Sequence, residues 1–349
     1  MEKVIVGGRA VGIGEPCFII AEAGSNHNGK LENALALIDC AAECGADAVK
    51  FQTFTVDRLV APTNHPIARL TDNFGQFGET VYEMFQKLEL PLDWLPRLRE
   101  HAERQGLIFL STPFDERSVD ILEELGVSAF KIASFEMVHL PLLRHVARKG
   151  KPVIVSTGMG NLGDIEDVLA TVYAEGNHQV VLLHCGINYP APFEEINLAA
   201  MDTMRQAFQV PVGYSDHSLG LTAPIAAVAR GANVIEKHFT VDRSLPGPDH
   251  SFALSPEELT QMVQAIRDTE AAIGSPIKGM APSEVLHYRR GRRSLFASVD
   301  IPAGTIVTAD MIAVLRPGIG LAPKLLNVVV GRSARRNIEA HEPITWDVI

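Results

Sequence analysis

Residues 18–51 read FIIAEAGSNHNGKLENALALIDCAAECGADAVKF. An apolar run, Phe18-Ile19-Ile20-Ala21, opens the stretch, and a second, Ala48-Val49-Lys50-Phe51, closes it. Between them, Leu31 to Cys44 carries apolar side chains at 31, 34, 35, 38, 41 and 42. That three-and-four spacing is one face of a helix. The two flanking runs are too uniformly apolar for strands with one wet face. Strand, helix and strand, with the strands covered on both sides, form the repeating unit of a parallel sheet.

The unit recurs. Further short runs are Leu107-Ile108-Phe109-Leu110, Ala129-Phe130-Lys131-Ile132, Val153-Ile154-Val155, Val180-Val181-Leu182-Leu183, Val210-Pro211-Val212-Gly213 and Asn233-Val234-Ile235-Glu236. Ser118 to Leu125 and Ala223 to Ala229 are among the helical patterns between them. Eight such units predict a (β/α)8 TIM barrel over residues 1–275, an α/β fold that takes about 250 residues. One interval is long: 55 residues separate Phe51 from Leu107, where a unit needs about 30. The part from Thr53 to Thr80 holds Pro62, Pro66, Gly75 and Gly78. It reads as a long loop over the active-site face, with little regular structure at its tip.

After Ser275 the pattern changes. Residues 276–293 form a linker punctuated by Pro276 and Pro282 and ending in Arg289-Arg290-Gly291-Arg292-Arg293. Residues 294–349 carry short β-like pieces: Leu295-Phe296-Ala297, Ile301-Pro302-Ala303-Gly304, Ile312-Ala313-Val314-Leu315 and Val328-Val329-Val330-Gly331. This predicts a small β-rich domain that needs a larger surface to pack on.

The 349 residues are 46% hydrophobic and 21% charged, the composition of a globular protein. No apolar run is long enough to span a bilayer and no secretory h-region follows Met1, so a cytoplasmic protein without membrane contact is expected. Cys17, Cys40, Cys44 and Cys185 lack metal-type spacing and read as reduced, buried thiols. The net charge of −11 is uneven: residues 289–349 carry 9 basic and 5 acidic side chains, or +4, which leaves −15 on the rest. An acidic body repels phosphate backbones, so nucleic acid is not the expected partner. A basic tail suits an acidic body, its own or a second copy's.

Barrel chemistry collects at the C-terminal ends of strands. There the chain places Glu22, Lys50 and Gln52, Ser111 and Thr112, Lys131 and Ser134, Ser156 and Thr157, His184 with Asn188 and Tyr189, Ser215 to His217, and Glu236 to His238. Lys50, Thr112, Lys131, Ser134, Ser156 and Ser215 supply ammonium and hydroxyl donors without a carboxylate, a pocket for an anion the size of phosphate. Lys50 and Lys131 read as the only lysines inside apolar strand runs. His217 and His238 end adjacent strands and can share a metal, leaving positions open for water and substrate; the alternative is a pair of hydrogen-bonded core histidines. Glu22 is a candidate general acid or base, or a structural ion-pair partner for Lys50. Asp249 follows Pro246-Gly247-Pro248, a stiff turn suited to binding a polyol hydroxyl, or a plain turn.

The motifs Ile20 to Gly29, Lys50-Phe51-Gln52-Thr53, Ser111-Thr112-Pro113-Phe114, Tyr214-Ser215-Asp216-His217-Ser218 and Ile235-Glu236-Lys237-His238-Phe239-Thr240 resemble those of the sialic acid synthase family. Asp300 to Gly304 and Leu315-Arg316-Pro317-Gly318 resemble the antifreeze-like (SAF) domain fused to those enzymes. The resemblance covers essentially the whole chain. It implies condensation of phosphoenolpyruvate with an N-acetylated hexosamine, such as N-acetylmannosamine, to a nine-carbon 2-keto acid and phosphate. It implies a domain-swapped homodimer in which each small domain caps the partner's barrel. By motif, Lys50, Thr112, Lys131, Ser134, Ser156 and Ser215 would hold phosphoenolpyruvate, and His217 and His238 a divalent ion, manganese first, with magnesium or cobalt as alternatives. Gln52, Tyr189 and Asp249 would face the sugar, Glu22 would manage protons, and Arg316 would reach the acetamido group from the other subunit. Ile187 stands where N-acetylmannosamine-specific members carry Asn, so the sugar is left open between sialic, legionaminic, pseudaminic and spore coat types. Two other classes compete: a pyruvate-dependent aldolase with Lys131 as Schiff base, and a non-catalytic ice- or glycan-binding protein, which the Thr-poor tail disfavours.

Overall fold

The computed structural model describes residues 3–349, with the backbone alone at 72 and 73. The chain folds as two compact units, Met1–Gly274 and Ser275–Ile349. In the first, a hairpin of β1 (Val4–Val6) and β2 (Arg9–Val11) precedes eight parallel strands. These are β3 (Phe18–Gly24), β4 (Ala48–Thr53), β5 (Ile108–Pro113), β6 (Phe130–Ile132), β7 (Val153–Ser156), β8 (Val180–Cys185), β9 (Val212–Asp216) and β10 (Val234–His238). They hydrogen-bond in the order β5-β4-β3-β10-β9-β8-β7-β6, and β5 packs beside β6, so the sheet curls round on itself as a TIM-like barrel. Each run expected from the sequence is one of these strands.

Strand parity explains how the barrel is filled. Successive side chains point to opposite faces. Phe18 and Ile20, Ala48, Leu110, Ala129, Ile154, Val181 and Leu183 gather in one buried cluster with Val4, Val6 and Val11 of the hairpin, which plugs that end of the interior. The alternate residues, Ile19, Val49, Phe109 and Val155, belong to a second cluster with the surrounding helices. One contributing helix is Leu31–Glu43, which buries Ala34, Leu37, Ile38 and Ala41. Another is Pro256–Ile273, started by Pro at its first turn and a capping box between Ser255 and Glu258. Gly213 lies where β9 and β10 approach closely: a Cβ there would stand 2.4 Å from the Val234 carbonyl oxygen, which excludes any side chain.

The long segment after β4 has little regular structure beyond the helix Val56–Leu59 and the 3-10 turns Pro66–Ala68 and Asp72–Phe77. In the second unit, β11 (Ser294–Ala297) and β12 (Ile312–Leu315) pair antiparallel, but the β-like piece at 328–331 is the end of a helical turn. Pro323 opens a 3-10 turn that runs into the helix Leu326–Val329. Its valines serve the core of the unit, where Val329 is buried beside Leu295 and Ile344 in one cluster. The hinge is partly helical too, over Val285–Gly291. A helix rises about 1.5 Å per residue against about 3.3 Å when extended, so its reach is shorter than a fully stretched chain gives. Among the described residues no helix is long and apolar enough to cross a membrane.

Candidate active site

The same parity that fills the barrel continues one step past its apolar layers. Glu22 follows Ile20, Lys50 follows Ala48, Thr112 follows Leu110, Lys131 follows Ala129, Ser156 follows Ile154 and Glu236 follows Val234, each two residues on and each buried. With Gln52, Ser134, Tyr189, Ser215, His217 and His238 they line one small cavity of about 50 Å³. Asp249 stands at its edge, one carboxylate oxygen 3.7 Å from Nδ1 of His238. Arg316 belongs to the second unit, where it is exposed and makes no ion pair among the described residues.

The pocket is not carboxylate-free as expected. Lys50 Nζ lies 2.5 Å from Glu22 Oε2 and 3.7 Å from Glu236 Oε1. It also donates to the Thr112 hydroxyl at 3.0 Å. Lys131 Nζ is 3.2 Å from the same Glu236 oxygen, to which Ser215 donates at 3.2 Å. Two lysines and two carboxylates thus alternate across the floor. A buried lysine needs such a counter-charge when no ligand supplies one. Burial favours the neutral carboxyl of Glu22, and repulsion from Glu236 adds to this against the pull of Lys50, so its pKa is raised. Burial also works against the charge of Glu236, but Lys131 and Lys50 prevail and hold its pKa below the usual carboxylate value. Gln52 donates to the other Glu22 oxygen at 2.9 Å.

His217 and His238 stand with ring centroids 5.4 Å apart. Nδ1 of His217 is 2.6 Å from the Gly186 carbonyl; donating there leaves its Nε2 lone pair free. Burial lowers the pKa of both rings, that of His238 well below the ordinary value with His217 as a further cause. Neutral imidazole is the form that binds a metal. Nδ1 of His238, Oγ of Ser156 and Oε2 of Glu236 are buried without a hydrogen-bond partner among the described residues, as expected of groups that meet a ligand. The donor set therefore fits an ion held by two histidines with other positions open. Among the described residues there is no cluster of three or more His, Cys, Asp or Glu placed for a closed metal site. Tyr189 packs its ring 4.2 Å from that of His217. Gly24 permits the crowding on the other side. It follows a bulge in β3 and has φ +51°, and a Cβ would come within 2.9 Å of Asp249 Oδ2.

Other strand-end residues face away. His184 contacts the Ile196 carbonyl at 2.7 Å and stacks on Tyr214. The hydroxyls of Ser111 and Thr53 bond each other at 2.7 Å. Lys237 is a third lysine buried within a strand, paired with Asp216. Glu236 carries charge in the pocket that the reading by residue type had not assigned. Its signal was parity, two residues before His238. Phe114, Ala133, Phe135 and Cys185 complete the lining without having been assigned to the pocket.

A parallel barrel whose strand ends converge on buried lysines, carboxylates, hydroxyls and neutral histidines has the organisation of a barrel enzyme. The chain belongs to the NeuB family, whose model matches residues 37–278, and a SAF domain matches residues 292–349. It is 45% identical to the N,N'-diacetyllegionaminic acid synthase of Legionella pneumophila, over 95% of this chain and 94% of that one. It is 35% identical to the N-acetylneuraminate-9-phosphate synthase of Homo sapiens, over 100% and 97%. The crystal structure of the spore coat polysaccharide biosynthesis protein SpsE of Bacillus subtilis matches with a TM-score of 0.69 at 42% identity, covering 100% of this chain and 99% of that one.

Proposed function

We propose that the chain condenses phosphoenolpyruvate with an N-acetylated hexosamine and water, giving a nine-carbon 2-keto sugar acid of the sialic acid type and phosphate. One observation carries the reading: lysines and hydroxyls sized for a phosphate line the same cavity as two neutral histidines. The greater identity to a legionaminic than to a neuraminic acid synthase favours a 2,4-diacetamido sugar, with N-acetylmannosamine as the second choice.

In the proposed reaction, C3 of phosphoenolpyruvate bonds to the aldehyde carbon of the open sugar, and the carbonyl electron pair moves to oxygen, which takes a proton. Water adds at C2 and loses a proton; the bond from C2 to the phosphate oxygen then breaks, leaving the 2-keto acid. Lys50, Lys131, Thr112, Ser134, Ser156 and Ser215 hold the phosphoenolpyruvate. Glu22, whose burial favours the protonated form, would deliver the proton to the sugar oxygen. Gln52, Tyr189 and Asp249 bind the sugar. His217 and His238 would hold a divalent ion, manganese first, whose contribution is Lewis-acid polarisation of the sugar carbonyl. Arg316 acts from the second subunit of a cytoplasmic homodimer.

The test is phosphate release from phosphoenolpyruvate with a panel of N-acetylated hexosamines, with and without manganese. Release with none of them in the presence of metal overturns the proposal. A pyruvate-dependent aldolase has one observation in its favour: burial lowers the pKa of Lys131, as a Schiff-base amine requires. Glu236 at 3.2 Å opposes this by favouring the ammonium form. Borohydride with pyruvate is expected to trap no adduct.

A further inference from the structure

The two histidines of the cavity share an outer support that the proposed reaction does not use. In the ladder between β9 and β10, Glu236 pairs with Ser215 and Lys237 with Asp216. By parity the first pair points into the cavity and the second into the layer between barrel and helices. His217 and His238, one position further on, point inward again. The buried side chains of Lys237 and Asp216 meet in an ion pair. The Lys237 ammonium also donates to the Ser218 carbonyl at 2.7 Å. Lys237 therefore grips the residue before His217 and the residue after it, while being itself the residue before His238. The other oxygen of Asp216 accepts from the Tyr214 hydroxyl at 3.1 Å and from the Ser218 backbone N–H at 2.9 Å. All four residues are almost wholly buried.

We propose that Lys237 and Asp216 are positioning residues that set the spacing of His217 and His238, and so the affinity for a divalent ion, without touching the ion or a substrate. The geometry gives the reason. A strand end otherwise frays, and two ligands on separate strands lose affinity when their separation wanders. One ammonium bonded on both sides of the first histidine and covalently adjacent to the second removes that freedom. Partners behind a metal ligand commonly change metal affinity by about 10–100-fold. The proposal rests on the metal reading given above.

The experiment is a manganese titration of the full-length protein followed by the electron paramagnetic resonance signal of free Mn2+, with thermal unfolding of the same samples and phosphoenolpyruvate binding measured in parallel. Removing one charge alone would leave the other buried and unpaired, so the informative variant replaces both, Lys237→Met with Asp216→Leu. It is expected to fold and to bind phosphoenolpyruvate as the wild type does, while its manganese Kd rises about 10–100-fold. A folded double variant with wild-type manganese affinity overturns the proposal and leaves the pair a purely structural one. If the double variant does not fold, Tyr214→Phe decides. Loss of its one hydrogen bond to Asp216 is expected to raise the Kd about fivefold, and an unchanged Kd overturns the clamp. A wild-type protein that binds no manganese refutes the metal reading itself, and the clamp falls with it.

Discussion

Glu22 on β3 and Lys50 on β4 are register partners whose side chains meet as a buried ion pair at 2.5 Å on the cavity floor. The pair joins a proton-carrying candidate to an anion-binding one, so each can be changed separately. Glu22→Gln keeps the shape and removes the proton. It is expected to lower kcat by about 10²–10³-fold with little change in the KM for phosphoenolpyruvate. Steady-state kinetics check this, and a change in KM alone would reassign Glu22 to binding.

Lys50→Met should act differently. Loss of a charged hydrogen bond worth about 1.4–2.8 kcal/mol raises the phosphoenolpyruvate KM by about 10–100-fold. It also leaves Glu22 and Glu236 short of a counter-charge, at a stability cost of about 3–5 kcal/mol. Adding Glu22→Gln to Lys50→Met should recover part of the stability and none of the affinity. Denaturant melts of the single and double variants read the first effect, and substrate titration the second.

The ion expected at His217 and His238 can be tested by removal. Either histidine changed to Ala should abolish turnover and leave the melt nearly unchanged, because the rings are not part of the apolar layers that hold the barrel. Extensively chelated wild-type protein should be inactive and recover with manganese. Full activity after chelation would sink the metal role.

Glu136, in the loop after β6, supplies a prediction on stability. Its side chain is buried with Oε2 unpartnered among the described residues. Burial raises its pKa to about 7 from 4.5. A carboxyl with a raised folded pKa stabilises the fold while protonated, and that support is lost as pH rises through about 4.5 to about 7. Glu136→Gln, which stays neutral, should match the wild type near pH 4.5. By pH 8 it should be the more stable by up to about 3 kcal/mol. Melts across that range check the sign; a constant difference would rule it out.

Particular residues show what was legible in the sequence. Each barrel strand announced itself, since a strand covered on both faces leaves no polar alternation to confuse with a helix. The pocket was legible through its types: Lys50 and Lys131 are conspicuous in apolar runs. The role of Glu236 was not, because Glu236-Lys237-His238 puts three polar residues in a row and only the strand's parity says which face inward. Val328-Val329-Val330 misled for the opposite reason. A β-branched run serves as well to fill a small core from a helical turn, and Pro323 decided the matter locally.

Arg316 is the remaining expectation, and its test also addresses the quaternary state. It follows β12 and precedes Pro317, exposed and without an ion-pair partner among the described residues. An exposed guanidinium held beside proline is suited to recognising an acetamido oxygen or another acceptor outside its own unit. The unit that carries it contains the basic tail of +4, against −15 on the remainder of the chain, which favours association of that tail with a barrel. Arg316→Ala and Glu22→Gln should each be inactive as homodimers. In mixed dimers, one site would combine an intact Glu22 with an intact arginine from the neighbour, provided the arginine is supplied in trans. Mixing the two inactive variants under conditions that exchange subunits should therefore restore up to about a quarter of wild-type activity, since half of the dimers are mixed and each has one competent site. An arginine acting within its own chain predicts none. In that case every site in the mixture lacks one residue or the other, and no ratio of the two variants can regain turnover.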